Sequence, residues 1–163
     1  MKTLFLGLGS SVLTDDTIGL FVVRRVAELV KDVDDVYTME NEEGGFSLLD
    51  ESLGYDRMVV IDSIILGNEP GTVTKFGLKE LERSIHSCTP HGANLATVLE
   101  LGRVQGMAVP DEVIIYAIDV VDVLSFGEEP TPVLMEKVDG IAERIVREVL
   151  GDAVRGDKAA EGK

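Results

Sequence analysis

The sequence predicts a three-layer α/β sandwich, a mostly parallel twisted sheet of about five strands with helices on both faces. Short runs that are almost continuously apolar recur along the chain, as strands covered on both sides require. Segments with a helical apolar period alternate with those runs, the pattern of strand–helix–strand units. The chain has 163 residues, 45% of them hydrophobic. That length suits one domain with its own core and is short for two. Residues 1–150 are assigned to the domain, and 151–163 to a small, charged tail expected to be disordered.

Lys2–Leu8 opens the chain as a buried strand running into Gly7-Leu8-Gly9. It could pass for a signal peptide, but it leads straight to Asp15-Asp16 without a small-residue cleavage site. Ile18, Phe21, Val22, Val26, Leu29 and Val30 then share one helical face, with Asp15 and Asp16 at the helix start, where carboxylates complement its dipole. Val36–Met39 reads as a second strand, Glu40–Gly45 as a polar loop and Phe46–Leu53 as a short helix. Arg57–Ile61 is a third apolar strand ending at Asp62. Asn68-Glu-Pro-Gly71 marks a turn, and Gly71–Phe76 alternates as an antiparallel edge strand would. Leu95, Val98, Leu99 and Leu101 define another helix, and Glu112–Ile118 the last strong strand. Thr131 and Pro132 form a helix start, with Thr as cap. Leu134, Val138, Ile141, Ala142, Ile145 and Val149 follow as its apolar stripe, and Gly151 stops it.

Fifteen basic against thirty acidic residues give a formal charge of −15. Acids and bases balance in the tail, so the deficit belongs to residues 1–150. Such a surface repels phosphate backbones and argues against nucleic acid as a partner. Metal cations and basic peptide segments suit it, although acidity also serves plain solubility. No apolar run reaches the roughly 18 residues of a membrane span. A single cysteine fits the reducing cytoplasm.

In a doubly wound sheet, ligands sit beyond the carboxyl ends of the strands, where strand order reverses. Gly7-Leu8-Gly9 invites a dinucleotide reading, with Glu40 imitating the ribose-binding acid. The fingerprint's third glycine is Val12 here, however, and Asp15 and Asp16 stand where a pyrophosphate would rest. A tight turn explains the glycines equally well. Asp16, Asp62 and His91 each lie at the expected sheet edge. Alone, they read as a helix-start acid, a turn former and a surface histidine. Together, two carboxylates and one imidazole suit a divalent first-row metal and leave positions open for water or substrate. Cys88 and His91 are too close in one loop to make a good nucleophile–base pair, and His86 reads as a surface residue. There is no Gly-x-Ser-x-Gly elbow, so water activated by metal or carboxylate is the better hydrolytic reading.

Three blocks in order resemble the nickel–iron hydrogenase maturation endopeptidases. They are Leu6-Gly-Leu-Gly-Ser-Ser-Val-Leu-Thr-Asp-Asp-Thr-Ile-Gly19, Tyr55-Asp-Arg-Met-Val-Val-Ile-Asp62 and Thr89-Pro-His-Gly-Ala-Asn-Leu95. Ser10 replaces the family's usual Asn, and Thr17 its Gly or Ala. The loop Glu40-Asn-Glu-Glu-Gly-Gly45 keeps only the last glycine of the family's Asp-Gly-Gly-Thr-x-Gly. The resemblance implies a cytoplasmic peptidase that removes the carboxy-terminal extension of a hydrogenase large-subunit precursor after nickel insertion. It implies nickel ligation by Asp16, Asp62 and His91, with nickel supplied by the precursor and no organic cofactor. Asp16 is the first choice for activating water, and Glu40 and Gly45 are weaker candidates for a substrate loop. A non-catalytic nickel-dependent chaperone of the same precursor and a nucleotide-binding domain are the competing expectations.

Overall fold

Strand pairing in the computed structural model follows the order β2-β1-β3-β5-β4. The structure describes residues 1–80 and 95–151; the Cys88–His91 segment, His86 and the tail from 152 lie outside them. The strands are β1 (Thr3–Leu8), β2 (Val36–Asn41), β3 (Arg57–Ile64), β4 (Val73–Gly77) and β5 (Glu112–Asp119). The first three and β5 are mutually parallel, and β4 closes one edge antiparallel to β5. The helices are α1 (Ile18–Leu29), α2 (Phe46–Ser52), α3 (Leu95–Val104), α4 (Pro132–Met135) and α5 (Val138–Leu150).

The period of two along each strand divides the core in two. Phe5, Val59, Ile61, Tyr116 and Ile118 face α1 and α5, meeting Val22, Val26, Ile141 and Ile145. Leu4, Leu6, Leu8, Met58, Val60 and Ile115 face α2 and α3, meeting Leu48, Leu95 and Leu99. This is the expected three-layer arrangement, with the order reversing between β1 and β3.

Four expectations about local structure change. β2 runs on through Glu40 and Asn41, because β1 pairs with it as far as Leu8 opposite Asn41. β3 does not end at Asp62: β5 pairs with it to Ile64, whereas β1 leaves it at Ile61. The helix expected from Thr131 is two helices, interrupted at Glu136–Lys137, where the Lys137 ammonium reaches across to the Pro70 carbonyl. Thr131 makes no side-chain cap; its carbonyl accepts from the Leu134 and Met135 amides. At the turn before β4, Thr72 N–H donates to the Glu69 carbonyl, and Gly71 takes φ +89°, the type II geometry that Pro70-Gly71 favours.

Candidate active site

The glycines after β1 belong to packing. A Cβ on Gly9 would lie 2.1 Å from the Asp16 carbonyl oxygen, and one on Gly7 2.4 Å from that of Gly19. A Cβ on Gly19 would meet the Leu8 and Ile61 carbonyl oxygens at 2.1 and 2.6 Å. Strand β1, the start of α1 and the end of β3 therefore touch main chain to main chain. Two amides of this loop are already engaged. Gly9 N–H donates to the Asn41 carbonyl and Ser11 N–H to the Glu42 carboxylate at 2.5 Å. Glu42 thus places a carboxylate against the Gly7-Leu8-Gly9 turn, a poor neighbour for a phosphate.

Asp15 and Asp16 lie in a short 3-10 turn, Thr14–Thr17, ahead of α1, and their side chains do different work. The fully buried Asp15 carboxylate accepts three main-chain N–H groups, from Val121 (3.0 Å), Asp122 (2.8 Å) and Thr131 (2.8 Å). It anchors the loop between β5 and α4, a role that sequence reading does not assign. Asp16, 3% exposed, accepts from the Ser63 hydroxyl at 2.7 Å. Asp62, 1% exposed, accepts from the Ser63 amide at 2.8 Å. One buried serine thus connects both carboxylates, at the point where β3 has outrun β1. Ser63 escapes sequence reasoning because a serine after an acid reads as a turn; its one visible signal is a hydroxyl directly following the candidate acid. His91 lies outside the described residues, and among the described residues no three His, Cys, Asp or Glu side chains cluster as a metal site would.

The loop after β2 borders the same edge. Asn41 is buried, with its amide nitrogen donating to Ser47 (2.8 Å) and Glu51 (2.9 Å) and its oxygen accepting from the Glu43 and Gly44 amides. Gly45 has φ +62° and ψ −137°, and a Cβ there would have no neighbour within 4 Å; the glycine is present for its backbone angles. Glu40 turns toward α1 and pairs through both oxygens with Arg24, each contact 2.8 Å, which holds the guanidinium pKa above its ordinary value.

A family model described as hydrogenase maturation protease matches residues 21–149. The chain belongs to the hydrogenase maturation protease family. The Hydrogenase 2 maturation protease of Escherichia coli (strain K12) is 30% identical to this member over 108 residues, covering 65% of this chain and 66% of that protein, just under two thirds of the relative's length. Among solved structures, the hydrogenase maturating endopeptidase HybD from E. coli superposes with a TM-score of 0.76 at 24% identity, covering 94% of each chain. The [NiFe] hydrogenase maturation protease HybD from Thermococcus kodakarensis gives 0.72 at 23%, covering 91% of this chain and 99% of that one. At these identities the superpositions establish the shared fold. Among the described residues of this family member, no helix is long and apolar enough to cross a membrane.

Proposed function

We propose that this hydrogenase maturation protease is a cytoplasmic endopeptidase that removes the carboxy-terminal extension of a nickel–iron hydrogenase large-subunit precursor once nickel is in place. The supporting observation is the pair of buried carboxylates, Asp16 and Asp62, bound through one serine at the strand-order reversal. Such a pair concentrates negative potential in a low-dielectric wall and favours a cation brought to it. With the His91 imidazole they would form an oxygen-rich set suited to nickel carried by the precursor.

In this reading the metal is part of the substrate, a readiness signal and a docking point. Asp16 takes a proton from the attacking water. The water oxygen bonds to the scissile carbonyl carbon, the carbon–nitrogen bond breaks, and the proton passes to the departing amine. The Ser63 hydroxyl holds the Asp16 carboxylate in place for that transfer. No organic cofactor takes part.

The test is to incubate the purified chain with nickel-loaded and nickel-free precursor and weigh the products. Loss of the extension from the nickel-loaded form alone, abolished by Asp16→Asn, is the expected result. Binding of the nickel-loaded form without cleavage would mark a chaperone instead. Efficient cleavage of metal-free precursor in the presence of a chelator would refute the nickel gate.

A further inference from the structure

The loop between β5 and α4 combines a fixed backbone with apolar side chains left in solvent. Asp15 holds its Val121, Asp122 and Thr131 amides. The Asp122 carboxylate accepts from the Leu124 and Ser125 amides. The Ser125 carbonyl accepts from both the amide and the hydroxyl of Thr14, at 3.0 and 2.7 Å. Gly127 N–H donates to the Val12 carbonyl, and Leu13 bridges Phe126 antiparallel. Yet Leu124 is 87% and Phe126 88% exposed, and Val121 and Val12 are exposed as well. Ile65 and Leu66 extend this apolar rim, because Val120 N–H donates to the Ile64 carbonyl and joins the two loops. A connector needs no such side chains, and surface loops held by a rigid scaffold are where binding residues concentrate. Apolar groups gathered on one rim mark a contact surface.

We propose that this rim is the docking surface for the folded hydrogenase precursor, which it contacts through an apolar segment flanked by basic side chains. The inference rests on the endopeptidase reading and adds where the partner is held. Continuity with the candidate site supports it: Thr14 and Asp15, which fix the loop, belong to the same four-residue turn as Asp16. Charge selects the partner. Exposed Glu128 and Glu129 follow the loop directly, and residues 9–20, 61–72 and 119–131 contain no Lys or Arg. A lipid surface would call for basic residues around the apolar ones, so this rim fits a polypeptide.

The test uses the full chain carrying both Leu124→Ser and Phe126→Ser, with nickel-loaded full-length precursor. For the precursor, KM should rise at least about tenfold while kcat stays within about threefold. Leu124→Ser alone gives a second variant should the double one fold poorly. A KM for the precursor within twofold of the unaltered chain would overturn the proposal. So would a dimer of the unaltered chain in sedimentation that the substitutions dissociate, because the rim would then cover a second copy. Asp62→Asn and the double variant separate the two readings: the first should remove turnover, whereas the second should weaken the Kd for nickel-loaded precursor at least about tenfold and keep kcat within about threefold. If the unaltered chain binds the precursor without cutting it, the endopeptidase reading fails, and the Kd of the double variant still decides the docking surface.

Discussion

Replacing Asp15 isolates what one buried carboxylate does for the loop beside the candidate site. Its two oxygens serve three amides, one taking Val121 and Asp122 and the other Thr131. In Asp15→Asn one oxygen becomes an amide nitrogen. If the remaining oxygen keeps Val121 and Asp122, the new NH2 faces the Thr131 N–H, donor against donor. A buried amide left without an acceptor costs about 1–3 kcal/mol, and a charge-assisted bond is lost besides, so a destabilisation of about 2–3 kcal/mol is expected. Asp15→Ala strands all three amides and should cost roughly 3–6 kcal/mol, a large share of the about 5–15 kcal/mol that holds a domain folded. Urea denaturation followed by circular dichroism reads this directly. With a slope near 2 kcal/mol/M, Asp15→Asn should move the midpoint down by about 1–1.5 M at unchanged slope. Amide hydrogen exchange at Thr131 should quicken by about thirtyfold or more, since 1.4 kcal/mol is a factor of ten. A midpoint within about 0.3 M of the unaltered chain, with Thr131 exchange unchanged, would refute the anchoring role.

In Asp16→Asn the amide oxygen can still accept from the Ser63 hydroxyl, and precursor turnover, read by mass spectrometry, should fall about a thousandfold. Gly19→Ala drives a methyl into two main-chain oxygens and should cost about 3 kcal/mol or more, lowering Tm in calorimetry by roughly 6–12 °C. Gly45→Ala meets no atom and should cost about 1–3 kcal/mol through backbone strain alone, read from the urea midpoint. Burial, then the bond to Glu148, raises the Tyr116 hydroxyl above its ordinary 10.0. A raised folded value adds stability below pH 10 and loses it above, so the stability gap between the unaltered chain and Tyr116→Phe should narrow as pH climbs past 10 in urea titrations.

The layers of the fold are legible because strand runs and helical stripes are local patterns, written in consecutive residues such as Met58-Val59-Val60-Ile61. Strand ends are not, because a partner sets them: Glu40 and Asn41 are extended where β1 still offers a neighbour, and Ser63 and Ile64 where β5 does. The acids Asp16 and Asp62 stand out by their place at the sheet edge. What Asp15 does cannot be told from what Asp16 does, since adjacent carboxylates at a helix start look alike. Their difference comes from contacts more than a hundred residues away, at Val121, Asp122 and Thr131. Ser63 is hidden for the same reason, as its importance lies in the two carboxylates that fold onto it. The helix from Thr131 reads as continuous because its apolar stripe is continuous, and nothing in residues 131–150 announces the Lys137 bond to Pro70.

The main-chain contact among Gly7, Gly9 and Gly19 limits how this scaffold can diversify. Where side chains separate two elements, a substitution can open or narrow the gap in small steps, and a lineage can drift through intermediate geometries. Here peptide groups already touch, so there is no spacer to trim, and any side chain added at these positions forces the elements apart. The depth at which Asp16 sits is therefore close to invariant under viable change. Variation has room at the periphery instead, in the loops at 41–46, 65–70 and 121–131. Exposed residues can be exchanged there while the acids keep their positions.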